Sequence, residues 1–478
     1  MSDKHLAKSG AFWLGCERAS TLLVVFLSSI ILARLLGPAD FGAVALSMAV
    51  ARLSLRLASI GLGPEVMRLK EDAPDYHVRL STYFWLNVAI VLFVGALSVG
   101  CVSMVSFLKG EKFVIFVVII LGWSFNNFCS PFRSLLLKHM RFRTIFFLDF
   151  FPAFATALFA IGMALQGYGK WALVIPQITF LCLSAFMAAN LSGFRPGLFF
   201  HPAWALYLLK KSPWYVVTNF TEEGVERVDD IFLGKMLGST ILGYYERAYT
   251  TAILFHKNIG TMINRLLMPF FYKHVGNQSG LEVIYAFTVK IIIYVIGIPL
   301  LFFLWFCPEI IGFVYGSKWL PAVPVFYAIS VYILCLPLYH INKNFSLSQD
   351  DVAQTGQISM EIFTVLIILL FPLIRFWGAV GAALAMDGAM FYGLTRMIFL
   401  ARRRCRIDLF RTYLRPVGLG IGGLAMGWGL KLWLYPLWGI AGVLPVNLVV
   451  VGGLGAVIYF CEQELVKFFY PAIKKGRT

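Results

Sequence analysis

Charge is what this chain has least of. Only 14% of its 478 residues are Asp, Glu, Lys or Arg, where a soluble protein carries about a quarter. With 59% hydrophobic residues and a mean hydropathy of +0.79, a soluble globular class is excluded. Paired cysteines are missing too. Cys16, Cys101, Cys129, Cys182, Cys307, Cys335, Cys405 and Cys461 lie far apart, with no CxxC and no Cys/His pairing. Neither a disulfide framework nor a zinc site is indicated. There is no P-loop, no metal-ligand cluster and no nucleophile–base spacing, and His201, His256 and His340 stand alone, so no enzyme, metal or cofactor is expected. Long polar connections are also absent. The longest fall near 66–80, 194–211, 271–282, 307–319 and 402–412, too short for a soluble domain or for the outer active site of a membrane glycan polymerase or ligase.

What the chain does have is apolar runs of about twenty residues, the length that crosses a bilayer as a helix. Runs bounded by charge or by Gly and Pro fall near 10–35, 41–64, 82–108, 113–137, 143–166, 170–193, 212–236, 240–270, 283–306, 320–345, 352–374, 377–401, 413–434 and 442–466. The expected class is an all-α polytopic membrane protein with about fourteen spans. The segment Pro202–Lys211 is expected as a short interfacial helix, with Trp204 and Tyr207 at headgroup level. The start, MSDKHLAKSG, lacks a small-residue cleavage site, and an uncleaved first helix is expected.

A net charge of +17 would suggest nucleic acid in a soluble domain. In a membrane protein, Lys and Arg collect in cytoplasmic loops instead, so no nucleic-acid partner is expected. With a cytoplasmic N-terminus, 23 basic residues fall inside, including Arg402, Arg403, Arg404, Arg406, Arg411 and Arg415. Six fall outside: Lys109, Lys112, Lys170, Lys235, Lys318 and Arg375. An even number of spans returns the basic tail to the cytoplasm.

One segment is echoed. Arg34-Leu-Leu-Gly37-Pro-Ala-Asp-Phe41-Gly42 and Lys235-Met-Leu-Gly238-Ser-Thr-Ile-Leu242-Gly243 share a cation, an apolar pair, Gly, three turn residues, an apolar residue and Gly. The offset of 201 also sets Arg56 on Lys257. Six spans precede residue 195 and six more end near 401, so both repeats start on one side of the membrane. This is a parallel repeat, whose substrate site is expected between the halves. The domains expected are a six-helix lobe over 1–195, a second over 196–405, and a helix pair with a basic tail over 406–478. The glycine pairs are expected in tight turns between spans.

Ionisable residues in spans cost at least about 2.5–3.5 kcal/mol on insertion scales and face a bundle interior or wet cavity. The first two spans of each repeat hold most of them: Glu17-Arg18, Arg52 and Arg56, then Glu222, Glu223, Glu226, Arg227, Asp229 and Asp230, then Glu246-Arg247 and Lys257. Arg18, Arg52, Arg56, Arg227, Arg247 and Lys257 are candidates for a cationic lining that draws an anion such as phosphate. Local pairing that only pins helices is the competing reading for each. Arg34 and Lys235 are expected as snorkelling anchors. Asp387 and Glu361 read either as proton or cation sites or as structural hydrogen-bond partners.

Ile31-Leu-Ala-Arg34-Leu-Leu-Gly-Pro-Ala-Asp40-Phe-Gly42 resembles the ILARLLGPxDFG signature of Wzx-type polysaccharide flippases in the MOP (multidrug/oligosaccharidyl-lipid/polysaccharide) superfamily. Ile60-Gly61-Leu62-Gly63 and Thr82-Tyr-Phe-Trp85-Leu-Asn87 are also similar. So is Asp229-Asp230-Ile-Phe-Leu-Gly234-Lys235-Met-Leu-Gly238, followed by Leu242-Gly243-Tyr244-Tyr245-Glu246-Arg247-Ala248-Tyr249. The likeness covers most of the chain and is strongest before residue 90 and over 225–275. It implies fourteen helices, as two six-helix lobes and a C-terminal pair of MATE-like type. It also implies alternating-access transport of undecaprenyl-diphosphate-linked oligosaccharide across the bacterial inner membrane, with both termini cytoplasmic. On this chain Arg18, Arg52, Arg56, Arg227, Arg247 and Lys257 would then bind substrate. Asp229, Asp230, Asp387 and Glu17 are candidates for ion coupling. Membrane lipid and the polysaccharide polymerase and co-polymerase proteins are the further partners implied. Glu222, Glu223 and Glu226 depart from the pattern by being more acidic than expected. The alternatives are a cation-coupled multidrug exporter of the same superfamily and a membrane glycan polymerase or ligase.

Overall fold

A computed structural model of the chain describes residues 3–58, 75–104, 108–139, 141–255 and 278–461, with 66, 69, 260 and 271 as single positions. No strand occurs among the described residues. In chain order the helices are α1 (Asp3–Leu35), α2 (Pro38–Arg56), α3 (Tyr76–Ser103), α4 (Glu111–Phe128), α5 (Ser130–Lys138), α6 (Phe142–Leu165), α7 (Trp171–Leu191), α8 (Pro202–Lys211), α9 (Pro213–Met236) and α10 (Ser239–Phe255). Then come α11 (Gln278–Trp305), α12 (Cys307–Val314), a 3-10 turn at Ser317–Ala322, α13 (Val323–Ala328), α14 (Ser330–Ser348), α15 (Val352–Arg402) and α16 (Arg415–Cys461). Seven of the described helices are long and apolar enough to span a bilayer, eight if the bent pair Ser317–Ala328 and Ser330–Ser348 is one span. The expected fourteen is larger, partly because α15 holds two spans and is counted once.

The described chain forms two compact units. The first comprises Met1–Arg247, Val314–Trp319 and Leu370–Ala382; the second comprises Ala248–Phe313, Leu320–Leu369 and Ala383–Thr478. In the first, α1 packs on α6 and α2 on α9. One apolar cluster gathers Tyr83 of α3, Phe132 and Leu136 of α5, Leu148 of α6 and Leu208 of α8. The short helix expected at 202–211 is α8. His201 accepts the Trp204 backbone N–H at 3.2 Å, Trp204 stacks on Tyr207 with ring centres 5.0 Å apart, and Arg79 lies 4.8 Å over Trp204.

The echoed segments meet each other within the first unit. Chain entry into α2 is set by Pro38 in the first turn and by the Asp40 carboxylate, which accepts the Gly37 N–H at 3.1 Å. Small buried residues follow, Gly42, Ala43, Ala45, Ser47, Ala49 and Ala51, and these let backbones approach closely. A Cβ at Gly42 would lie 1.7 Å from the Ser239 carbonyl oxygen, and one at Gly243 would lie 1.9 Å from that of Pro38. Gly243 and Ser239 are Gly42 and Pro38 shifted by the repeat offset of 201. The contact is therefore reciprocal, as a local two-fold requires. This corrects the expectation that these glycines make turns. Gly238, at φ +84°, does sit in the turn before α10, but Gly42 and Gly243 are inside helices, at their crossing.

The second unit is built on α11, α14, α16 and the parts of α15 on either side of Leu370–Ala382, with Leu301, Trp305, Phe306 and Val450 forming one apolar cluster. α15 is a hairpin folded at Gly378, where φ is 58° and ψ is −131°. That backbone region suits glycine, and the two spans expected at 352–374 and 377–401 are its arms. The expected spans at 413–434 and 442–466 are joined, since helix α16 runs on through Pro436 and Pro445 to Cys461.

Candidate functional site

The charged centre of the first unit lies on α2, α9 and α10. Stretches 52–56, 222–230 and 246–247 contain four arginines and six carboxylates. Helical spacing creates the core of the network. Arg52 and Arg56 share a face of α2, and on α9 Glu223, Arg227 and Asp230 are related by i,i+4 and i,i+3. Arg56 Nε donates to Glu223 Oε2 at 2.8 Å. Arg227 lies 3.9 Å from the other Glu223 oxygen, 3.2 Å from Asp230 and 3.6 Å from Glu246 of α10. Glu223, Arg227, Asp229 and Asp230 are all buried. Glu223 therefore ties a half-exposed arginine to a buried one, which accounts for one of the acidic residues that departed from the expected pattern.

Aromatic rings hold the other two arginines. The Arg52 guanidinium sits 5.2 Å over Trp123 of α4. Arg247 is enclosed by Phe41, Tyr315 and Trp319, at 4.3, 5.1 and 5.2 Å. It donates to Ser29 Oγ of α1 at 2.7 Å and bonds the Tyr315 side chain. The cage is completed from segment 314–319, which turns at Gly316 with φ +99°. Lys318 donates to the carbonyls of Arg34 and Leu36 at 2.8 and 2.7 Å, Trp319 donates to that of Ala33 at 2.8 Å, and Arg34 Nε donates to Val314 O at 3.0 Å. These bonds satisfy carbonyls that the end of α1 leaves open. Arg34, expected to snorkel, is tied to this segment instead.

The candidate ion-coupling residues separate into different settings. Asp229 accepts a bond from the Tyr245 hydroxyl and one from the Asp230 backbone N–H at 3.0 Å. Asp230 pairs with Arg227. Asp387 belongs to the second unit, where it accepts the Tyr332 backbone N–H at 2.8 Å in the first turn of α14. Glu17 is on α1, and so is Arg18, whose side chain falls outside the described residues, as does Lys257. Glu361 is held within the second unit by Tyr392 at 2.9 Å, Gln357 at 3.0 Å and Arg396 at 3.2 Å. Among the described residues, no group of His, Cys, Asp and Glu is arranged to hold a metal ion.

Sequence reasoning missed Phe41, Trp123, Tyr245, Tyr315 and Trp319. A weak signal was available for the last two: Tyr315-Gly-Ser-Lys-Trp319 sets a cation and two amphipathic rings around a glycine in one of the longer connections.

Comparison with known proteins gives a consistent set. The model of the polysaccharide biosynthesis protein family matches residues 31–324. The lipopolysaccharide biosynthesis protein WzxC of Escherichia coli K12 is 24% identical over 348 residues, covering 68% of this chain and 66% of that protein, just under two thirds of its length. The succinoglycan biosynthesis transport protein ExoT of Rhizobium meliloti 1021 is 22% identical over 322 residues, covering 66% and 63%. Among solved structures, the lipid II flippase MurJ in an inward closed conformation matches with a TM-score of 0.71 at 15% identity, covering 95% of this chain and 100% of that one. An inward-facing MATE family multidrug resistance transporter of the MOP superfamily matches with a TM-score of 0.59 at 14% identity, covering 80% and 94%. At these identities the structural likeness is one of fold.

Proposed function

The chain belongs to the polysaccharide biosynthesis protein family, and on that premise we propose that it is an alternating-access carrier for lipid-linked oligosaccharide. The cargo is an undecaprenyl-diphosphate-linked repeat unit, moved from the inner to the outer leaflet of a bacterial inner membrane for surface or exopolysaccharide assembly. The protein is an all-α, multi-pass membrane protein of the MOP fold. In this reading it has fourteen spans, with functional lobes at 1–195 and 196–405, a C-terminal pair over 406–478 and both termini cytoplasmic. Polymerase and co-polymerase proteins would receive the product.

The observation that carries the reading is the Arg56–Glu223–Arg227 bridge, with ion pairs of 2.8 and 3.9 Å. Two guanidinium groups are drawn together by a carboxylate of the chain itself. A diphosphate has the same charge sign and more acceptor oxygens, and planar guanidinium forks suit it. Substrate diphosphate would take the place of Glu223, with Arg18, Arg52, Arg247 and Lys257 adding to the cationic surroundings. The sugar would occupy a water-filled space beside these arginines while the polyprenyl tail stays in lipid. Inside-negative potential favours outward movement of an anion by about 2.3 kcal/mol per charge per 100 mV. Six carboxylates against four arginines in the three stretches also leave room for a coupling cation at Asp229 and Asp230.

A leaflet-specific assay for lipid-linked oligosaccharide tests this. Changing Arg18, Arg52 and Arg247 together to Ala is expected to abolish outer-leaflet delivery; normal export by that variant would sink the cavity assignment.

A further inference from the structure

In the second unit, the open end of the α15 hairpin carries a cavity of about 740 Å³. Gln354 and Gln357 of the first arm face Arg396, Phe399, Arg402 and Arg403 of the second across it. The arms are held against one another below the cavity. Tyr392 donates to Glu361 at 2.9 Å, and Gly393 lies so close to Ile362 that a Cβ there would be 2.3 Å from its Cδ1. The cavity therefore lies over a fixed hairpin rather than between loose loop ends.

The arginines of this region divide into two kinds. Arg404 forms a bidentate pair with Asp351 at 3.0 and 2.5 Å, and Arg411 lies 3.5 Å from Asp408. Arg396 shares Glu361 with Tyr392 and Gln357. The side chains of Arg402 and Arg403 are exposed and make no ion pair or hydrogen bond among the described residues. Asp351, at the head of this arm, and Glu361, on it, are already engaged. Two guanidinium groups and the Gln354 amide thus converge on open space beside the partly engaged Gln357 and Arg396.

The walls beside this polar group are apolar. Phe399 is 61% exposed, and Phe391, Val352 and Met360 on the same arms are also exposed, as suits surface that meets lipid. By the charge bias of the chain this end of the hairpin lies at the cytoplasmic leaflet. Arginines placed only to fix topology need neither a cavity nor amide donors. A cavity of this volume is within the range that takes a discrete ligand, and basic pockets between spans on the cytoplasmic side hold anionic headgroups.

We propose that the cavity bounded by Gln354, Gln357, Arg396, Phe399, Arg402 and Arg403 is a binding site for the headgroup of an anionic phospholipid. Arg402 and Arg403 hold the phosphodiester through their planar forks. The two amides bond the polar headgroup, and the acyl chains run along Phe399. The site is independent of what the carrier moves.

The test uses the full-length protein in nanodiscs of phosphatidylcholine, with phosphatidylglycerol titrated in and bound lipid counted by native mass spectrometry. Wild type is expected to retain phosphatidylglycerol in preference to phosphatidylcholine. R402A/R403A is expected to lose that preference by roughly tenfold or more, each basic residue near an anionic lipid contributing about fivefold. R402K/R403K keeps the charge without the forks and is expected to fall between the two. R406A/R411A removes the same charge from the same cluster outside the cavity and is expected to bind as wild type does. Equal losses in R402A/R403A and R406A/R411A would overturn the proposal, as would a wild type without lipid preference. Displacement of the lipid by inorganic diphosphate at the same concentration would overturn it too, by assigning the site to a soluble anion.

Discussion

Replacing Gly42 by alanine would put a methyl carbon 1.7 Å from the Ser239 carbonyl oxygen, and Gly243→Ala would put one 1.9 Å from that of Pro38. The ordinary closest approach of carbon to a carbonyl oxygen is about 3.3 Å, so α2 and α10 would have to part by roughly 1.5 Å. The obstructing atoms are backbone and cannot rotate away. Overpacking of this kind costs about 1–3 kcal/mol, and a cost of 2 kcal/mol borne by this conformation alone would shift its population roughly thirtyfold. The two contacts share one crossing, so the double variant should cost less than the sum of the single ones. The assay is thiol labelling of Ser239→Cys by a membrane-impermeant reagent, alongside the unfolding midpoint in detergent. Gly42→Ala is expected to accelerate labelling and lower the midpoint, and Gly243→Ala to do the same. Alanine variants that label and unfold as the parent does, singly and together, would refute the crossing as a close backbone contact.

Two further expectations concern the charged centre. Glu223→Gln removes the bridge between Arg56 and Arg227 but leaves Arg227 with Asp230 and Glu246, so a stability loss of about 1–2 kcal/mol is expected. Substrate affinity should rise several-fold as turnover falls, and unchanged transport kinetics would contradict the displacement role. Arg247→Lys keeps the charge but loses the planar surface that faces three rings, each such contact being worth about 0.5–2 kcal/mol. Its unfolding midpoint is expected to fall nearly as far as that of Arg247→Ala, and full rescue by lysine would contradict the cage.

Much of the membrane architecture could be read directly from the chain, because long apolar runs have few other uses. The short helix at Pro202–Lys211 and the two arms of α15 follow from that rule and from glycine and charge punctuation. The repeat was legible in a nine-residue echo, and the reciprocal contacts of Gly42 and Gly243 now give it a physical meaning. What those glycines do was misread, since a glycine at a helix crossing and one in a turn look alike in a sequence. The arginines of the site stood out because charge in a span is rare. Their partners did not: Trp123 and Phe41 are ordinary members of a chain that is 16% aromatic. Tyr315 and Trp319 reach Arg247 from a segment about seventy residues further on, a contact that periodicity cannot signal. Glu223 looked anomalous only while Arg56, far away in sequence, was out of view.

Reconstituted vesicles test most directly whether this chain carries a lipid-linked diphosphate on its arginines. Protein is inserted into liposomes with a fluorescent polyprenyl-diphosphate-linked oligosaccharide in one leaflet, and arrival in the other is read by a membrane-impermeant quencher. Wild type should move the lipid, faster when the potential favours an anion, by up to about 2.3 kcal/mol per charge at 100 mV. R56A/R227A should bring movement down to that of protein-free liposomes while keeping the wild-type helical content. Movement at the wild-type rate by that variant, or none by wild type at either potential, would contradict the account.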